Sequence, residues 1–130
     1  MADRTPVFAG SVTSNPGLEA FWAACEQHRL LVPHCRACGR AHWYPRAVCP
    51  HCWSQDLDWR EAKGDGVIYS FSTVPRAVPP YVIAYVTLAE GPTMLTNIVG
   101  ADAATLRIGQ TVRLQFAGTD GGPPLPVFAP

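Results

Sequence analysis

Cys35-Arg36-Ala37-Cys38 and Cys49-Pro50-His51-Cys52 are two Cys-x-x-Cys pairs separated by residues 39–48. Each pair turns tightly enough for both sulfurs to face one point. Two such turns supply four thiolates, the closed tetrahedral shell of structural zinc. Cys35, Cys38, Cys49 and Cys52 are therefore the candidate metal ligands, with Gly39 and Pro50 supplying turn chemistry. Iron fits the same donor set, because Cys-Pro-x-Cys also occurs in iron sites and four thiolates suit both metals. The short gap and the lack of a visible redox-partner site favour zinc. His34 and His51 stand beside ligands, but four cysteines already fill the shell, so they read as neighbours of the site. A closed shell leaves no open coordination position, so the expected role of Zn2+ is to hold the fold. The surrounding unit, expected as a three-stranded ribbon of about 30 residues, is too small to bury a sufficient core alone.

Upstream, residues 1–14 show no hydrophobic period and contain Pro6 and Gly10, which reads as an extended arm. Asn15-Pro16 has the chemistry of a helix start. Leu18, Phe21, Trp22 and Cys25 follow at i, i+3, i+4 and i+7, an apolar stripe on a helix of about three turns. His28 and Arg29 fall near its C-terminal end, where positive charge suits the helix dipole. Cys25 and His28 form a conceivable nucleophile pair. Cys25 shares the apolar stripe, however, which favours a packed thiol. Leu30 to Val32 is a short apolar run closed by Pro33. Leu57 and Trp59 alternate with charged residues, as in a short strand.

Downstream, the Gly64-Asp65-Gly66 turn is the expected domain boundary. Val67, Tyr69 and Phe71 alternate with Ser70 and Ser72. Tyr81 to Leu88 is apolar on both faces, as in a central strand. Met94 to Val99 is a third strand, and Asp102 is placed to cap one or two helical turns. Val112, Leu114 and Phe116 alternate strictly with Arg113 and Gln115. Leu125 to Phe128 is a last short strand, with Pro126 favouring an edge. Five short strands with a small helical insert fit a small barrel, an OB-fold or an SH3-like barrel. The chain divides into an arm and helix (1–30), a metal ribbon (31–63) and a barrel (64–130).

The composition excludes several classes. Apolar residues make up 48% and charged residues 15%, which is a folded chain with little charge to wet its surface, so a buried partner surface is expected. No apolar run approaches the roughly 20 residues of a membrane span. Asp3, Arg4 and Pro6 stand where an export signal needs an apolar core, so a cytoplasmic location is expected. Five cysteines, four of them in two close pairs, indicate metal rather than disulfides in such a chain. No phosphate loop, nucleophile elbow or dinucleotide fingerprint is present, and no catalytic apparatus is legible.

One stretch is unlike the rest. Between Glu26 and Asp56 there is no acidic residue, while Arg29, Arg36, Arg40 and Arg46 occur with four histidines. Trp43, Tyr44 and Trp53 are interleaved. Such a face suits single-stranded nucleic acid, the phosphates of a ligand such as coenzyme A or a protein partner. Zero net charge weighs against nucleic acid.

These features in this order resemble the DUF35 family. A helix with Phe21-Trp22 leads to Cys35-x-x-Cys38-Gly39, then Tyr44-Pro45-Arg46-x-x-Cys49-Pro50-x-Cys52. Gly64-x-Gly66-x-x-Tyr69-Ser70, Pro80-Tyr81-Val82, Glu90-Gly91-Pro92, Asn97-Ile98-Val99-Gly100 and Pro124-Leu125-Pro126-x-Phe128 follow. The match covers about residues 16–130. The resemblance implies a mainly β chain: an N-terminal helix, a rubredoxin-like zinc ribbon and a five-stranded OB-fold barrel. It further implies a non-catalytic accessory subunit of a thiolase-superfamily enzyme, a thiolase or retro-aldolase acting on acyl-CoA thioesters, whose catalytic residues belong to the thiolase-like protein. Some members carry a fused hydratase-like domain; the chain end just after Phe128 leads us to expect none here. The family does not fix residues that touch coenzyme A. From the basic-aromatic stretch, Arg40 and Arg46 are the candidates for acyl-CoA contact, and Trp22, Trp43, Tyr44 and Trp53 for the partner surface. The competing expectations are a stand-alone single-stranded nucleic-acid-binding module and an iron electron carrier.

Overall fold

The apolar stripe, the alternating runs and the turn residues produce one α-helix and seven strands in a computed structural model that describes residues 17–119 and 121–130. Helix α1 spans Glu19–Glu26, so it is two turns long rather than three. The arm of residues 1–14 and the Asn15-Pro16 start lie outside the described residues. Leu18 occupies the N-cap position with no side-chain cap. Phe21, Ala24 and Cys25 are buried, as the stripe requires. His28 and Arg29 do not sit in the last helical turn. The chain leaves the helix at His28, which has φ 56°, and the His28 ring stacks on Phe116 at 5.1 Å. Arg29 instead reaches Glu61 at 2.9 Å.

Strands β1 (Leu31–Cys35) and β2 (Leu57–Glu61) pair antiparallel, from Leu31↔Glu61 to Cys35↔Leu57. Pro33 lies within β1 rather than closing the run before it. The expected third ribbon strand is reduced to a single bridge, His34↔Ala41. The Arg40 carbonyl is already taken by the Cys35 N–H, and Pro45 has no N–H to extend a ladder.

Strands β3 (Asp65–Val74), β4 (Tyr81–Leu88), β5 (Thr93–Ile98), β6 (Thr111–Ala117) and β7 (Leu125–Ala129) close a barrel in the order β3-β4-β5-β7-β6. Closure comes from the parallel pair Ile98↔Phe128, all other ladders being antiparallel. This architecture matches the OB-fold. The insert after β5 is a single 3-10 turn, Ala103–Thr105, with Asp102 Oδ1 accepting the Ala104 N–H at 3.0 Å. Strand β7 bonds on both sides, so Pro126 is not on a free edge. It is tolerated because β7 meets β5 only at Phe128, and its carbonyl accepts the Thr96 hydroxyl at 3.2 Å.

Two local features depart from simple alternation. Gly66 belongs to β3, not to a turn. A Cβ there would stand 2.5 Å from Val86 Cγ1, so glycine permits the β3–β4 approach. Gly66→Ala is expected to destabilise the chain by about 1–3 kcal/mol through overpacking, read as a lower urea midpoint. Second, a β-bulge falls between Ile68 and Ser70. Val67 and Tyr69 face outward on either side of buried Ile68, and after the bulge Phe71 packs against the core. The expected common face of Val67, Tyr69 and Phe71 is thus broken after Tyr69.

The core is continuous. Phe21, Cys25, Leu30 and Val32 from the helix and ribbon join Ile68, Val82, Val86 and Phe128 of the barrel in one cluster of buried side chains. Among the described residues no helix is long and apolar enough to cross a membrane.

Candidate metal centre and surrounding surface

Strand β1 delivers Cys35 to the first turn, and the two turns are built alike. In the first, the Gly39 N–H bonds the Cys35 carbonyl at 2.9 Å, and the Cys35 N–H bonds the Arg40 carbonyl at 2.9 Å. In the second, the Trp53 N–H bonds the Cys49 carbonyl at 2.9 Å, and the Cys49 N–H bonds the Ser54 carbonyl at 2.8 Å. Gly39 has φ 77° and Trp53 φ 67°. Trp53 therefore holds, with a bulky side chain, a left-handed conformation that glycine adopts at little cost.

The two turns bring all four sulfurs together. Cys35 Sγ lies 3.6 Å from Cys52 Sγ, and Cys38 Sγ lies 3.8 Å from Cys49 Sγ. All four ligand atoms fall within 4.8 Å of one another. Disulfide sulfurs would be about 2.05 Å apart. A tetrahedron with zinc–sulfur bonds of about 2.3 Å sets its sulfurs about 3.8 Å apart, so the cluster fits a four-thiolate metal site. Backbone N–H groups aim at the sulfurs, Cys38 to Cys35 Sγ and His51 to Cys49 Sγ, each at 3.4 Å. The Cys38 N–H is the foremost cause of a Cys35 thiol lowered to about 7, while burial and the neighbouring sulfurs push the Cys38 and Cys52 thiols up. Cys35 and Cys49 are buried, while Cys38 and Cys52 are exposed.

Cys25 behaves differently. It is fully buried, and burial, followed by the Glu26 charge, pushes its thiol up to about 12. A neutral, enclosed thiol is a poor nucleophile. Iodoacetamide is accordingly expected to leave Cys25 unmodified in the native protein and to label it on unfolding, as mass spectrometry of the peptides would show.

Around the ribbon, the candidate side chains separate into three places. Trp22, Trp43 and Tyr44 come together, with Phe21 4.8 Å from Trp22 and 5.4 Å from Trp43, and Trp43 5.8 Å from Tyr44 between ring centroids. They line a mostly apolar groove of about 240 Å³ whose other wall is Met94, Leu95, Leu125 and Pro126. This groove runs along the part of the β5–β7 seam that backbone pairing leaves open. Trp53 does not line it and stands 80% exposed.

Arg40 and Arg46 are not brought to one depression. Arg40 lines a depression of about 420 Å³ at the junction of ribbon and barrel, together with His42, His51 and Glu90. Arg46 lines another of about 290 Å³ with Pro45, Asp58 and Trp59, and its Nε bonds the Tyr44 carbonyl at 3.3 Å. Neither His42 nor Glu90, the latter quoted only within Glu90-Gly91-Pro92, was singled out from the sequence as a site residue. His42 is buried, and its two ring nitrogens make no hydrogen bond to the described residues. Desolvation, with Arg46 and His51 adding to it, lowers its pKa below 6.5. The folded state thus resists a proton that the unfolded state accepts. This contribution to stability is complete above the unfolded pKa of 6.5 and is lost as pH falls toward the lower folded value. His42→Phe is expected to flatten the pH dependence of the thermal midpoint in that window, measured against the parent protein.

Comparison with known proteins places this architecture. Residues 22–58 match the ChsH2 rubredoxin-like zinc ribbon domain, and residues 59–117 match the ChsH2 C-terminal OB-fold domain. A probable enoyl-CoA hydratase alpha subunit of Thermomonospora curvata is 40% identical over 85% of this chain, but the chain spans only 37% of that relative's length. A DUF35 domain-containing scaffold protein of Methanothermobacter thermautotrophicus is 30% identical, with 70% of this chain and 74% of that protein covered. The benzoylsuccinyl-CoA thiolase subunit BbsA of Geobacter metallireducens is 29% identical, with 62% and 56% covered. Among solved structures, the Ltp2-ChsH2(DUF35) aldolase contains a chain 37% identical to this one. It superposes with a TM-score of 0.80 over 89% of this chain and 95% of that one. With its paired cysteine turns, its order-swapped five-stranded barrel and these relatives, the chain belongs to the DUF35 family.

Proposed function

We propose that the chain is a non-catalytic accessory subunit that binds and stabilises a thiolase-superfamily enzyme, a thiolase or retro-aldolase, acting on acyl-CoA thioesters. The likeness to the DUF35 chain of an aldolase at 37% identity and 95% coverage of that chain carries the reading. The chemistry of the side chains agrees with it. The clustered thiols form a closed set for structural Zn2+ on Cys35, Cys38, Cys49 and Cys52. The remaining thiol, Cys25, is enclosed and neutral. Trp22, Trp43 and Tyr44 supply an aromatic groove of the kind that anchors protein interfaces. Trp53 adds an exposed indole held in a strained backbone conformation.

In this reading Arg40 and Arg46 help form the acyl-CoA site from two separate depressions. The location that goes with such a substrate is cytoplasmic.

The test is an affinity capture of the tagged chain from its native lysate, followed by mass spectrometry and an assay of CoA-thioester cleavage. The expected result is a near-stoichiometric thiolase-like protein and an activity absent from either chain alone. Recovery of nucleic acid, or of no partner at any salt concentration, would overturn the reading. Arg46→Ala is expected to raise KM for the thioester about tenfold or more, the effect of one lost charge-assisted hydrogen bond. Unchanged KM would remove Arg46 from the site.

A further inference from the structure

We propose that the outer face of β3, β4 and β5, centred on Tyr69, Tyr85 and Leu95, is a docking surface for an uncharged, apolar face of the thiolase-like subunit. The inference rests on the function proposed above and assigns the contact to side chains outside the ribbon.

The surface spans the bulge in β3. Tyr69 lies at the bulge next to Ser70, whose cross-strand partner is Tyr85, and Tyr85 in turn pairs with Leu95. The three side chains thus form a row across three adjacent strands. They are 66%, 48% and 50% exposed, and Val67 beside them is also exposed. On the other strands the exposed positions are polar or charged: Thr111, Arg113 and Gln115 on β6, and Arg60 and Glu61 on β2. From Gly66 to Val74, Tyr81 to Leu88 and Thr93 to Ile98 there is no Asp, Glu, Lys, Arg or His. The one charge on these strands, Asp65, sits at the end of β3 and is paired with Arg113.

This absence of charge identifies the occupant. The strands involved include those that OB-folds use to bind oligonucleotides, but a polyanion needs cations that this face does not carry. The same argument excludes the phosphates of coenzyme A from it. An opposing charged protein surface would leave its charges buried and unpaired, at a cost of several kcal/mol. An apolar protein face carries no such penalty, and tyrosine and leucine offer it large, rigid contact area. Leu95 also lines the aromatic groove of Trp22 and Tyr44, so row and groove are one continuous surface. The exposed row alone supplies roughly half of the about 800 Å² that each side of a standard interface buries.

The experiment co-expresses the chain with the thiolase-like protein encoded in the same genome and measures their dissociation constant. Tyr85→Glu and Leu95→Glu are compared with Gln115→Glu on β6, and each variant is checked for zinc content and thermal midpoint. The milder pair Tyr69→Ser and Leu95→Ser replaces any variant that fails to fold. The expected result is association weakened at least 100-fold by the β4 and β5 changes and unaltered by Gln115→Glu. Folded variants that bind as the parent does would overturn the surface while leaving the accessory role intact. A parent chain that binds no thiolase-like protein would overturn both. Binding of an oligo-dT probe that Tyr85→Glu abolishes, or a self-dimer that Leu95→Glu disperses, would replace the proposed occupant.

Discussion

Cys49→Ser is expected to leave the chain without stoichiometric metal and without a cooperative ribbon. Cys49 is buried, its sulfur lies 3.8 Å from Cys38 Sγ, and it accepts the His51 N–H. Removing one thiolate opens the tetrahedral shell, and the other three sulfurs are left crowded with no ion to neutralise them. Structural zinc contributes about 10–16 kcal/mol to the folding of small metal-stapled units, while whole domains are stable by only about 5–15 kcal/mol. The rest of the ribbon cannot replace a term of that size, because β1 and β2 contribute five paired positions. Zinc content by elemental analysis and a thermal scan would check it, with Cys25→Ala as the comparison. That change removes a packed thiol, so it is expected to keep one zinc per chain and to lower the midpoint modestly. A Cys49→Ser protein with full zinc content and an unchanged midpoint would refute the four-thiolate site. Treatment of the parent with a strong chelator is expected to reproduce the Cys49→Ser result.

Phe128→Ala carries the second large effect. Phe128 is fully buried, pairs with Leu114 on one side and closes the barrel onto Ile98 on the other. Its ring also approaches the space above Gly66. Truncation leaves a cavity at the one point where β5 and β7 meet. The expected cost is about 3–5 kcal/mol, which for a chain of this size lowers the thermal midpoint by on the order of 15 °C. Ile108→Ala, at an exposed position, is expected to change nothing measurable. Equal midpoints for the two variants would show that closure does not depend on Phe128.

The parts of this fold that were legible in the sequence are those with short-range causes. The cysteine spacing located the sulfur cluster because a Cys-x-x-Cys turn is determined by its own few residues. The stripe from Leu18 to Cys25 and the alternation from Val112 to Phe116 marked buried faces for the same reason. Asp102 announced its turn through its own side chain. What failed depended on partners distant in sequence. The bulge at Tyr69 arises from pairing β3 with β4, so the row with Tyr85 and Leu95 was invisible, and Val67 seemed to face inward. Pro126 suggested an edge because the parallel contact between Ile98 and Phe128 joins residues thirty positions apart. The candidate site was read unevenly in the same way. Composition flagged Arg40, Arg46 and the aromatics as a group, yet only folding could sort them into a groove, two depressions and the isolated Trp53. His42 was only one of the four histidines of the basic stretch, because burial of both ring nitrogens is a tertiary fact.

The continuity of the core has a consequence for regulation of the whole chain. Phe21 and Val32 share one buried cluster with Val86 and Phe128, so helix, ribbon and barrel are expected to melt as one body. An ion that binds only the folded ribbon therefore stabilises the barrel, and a protein clasping the barrel stabilises the ribbon. By thermodynamic reciprocity each raises the apparent affinity of the other by the same factor, although no atom of either need touch the other. If the chain takes up zinc and a partner subunit as proposed, metal supply and subunit assembly become a single coupled variable.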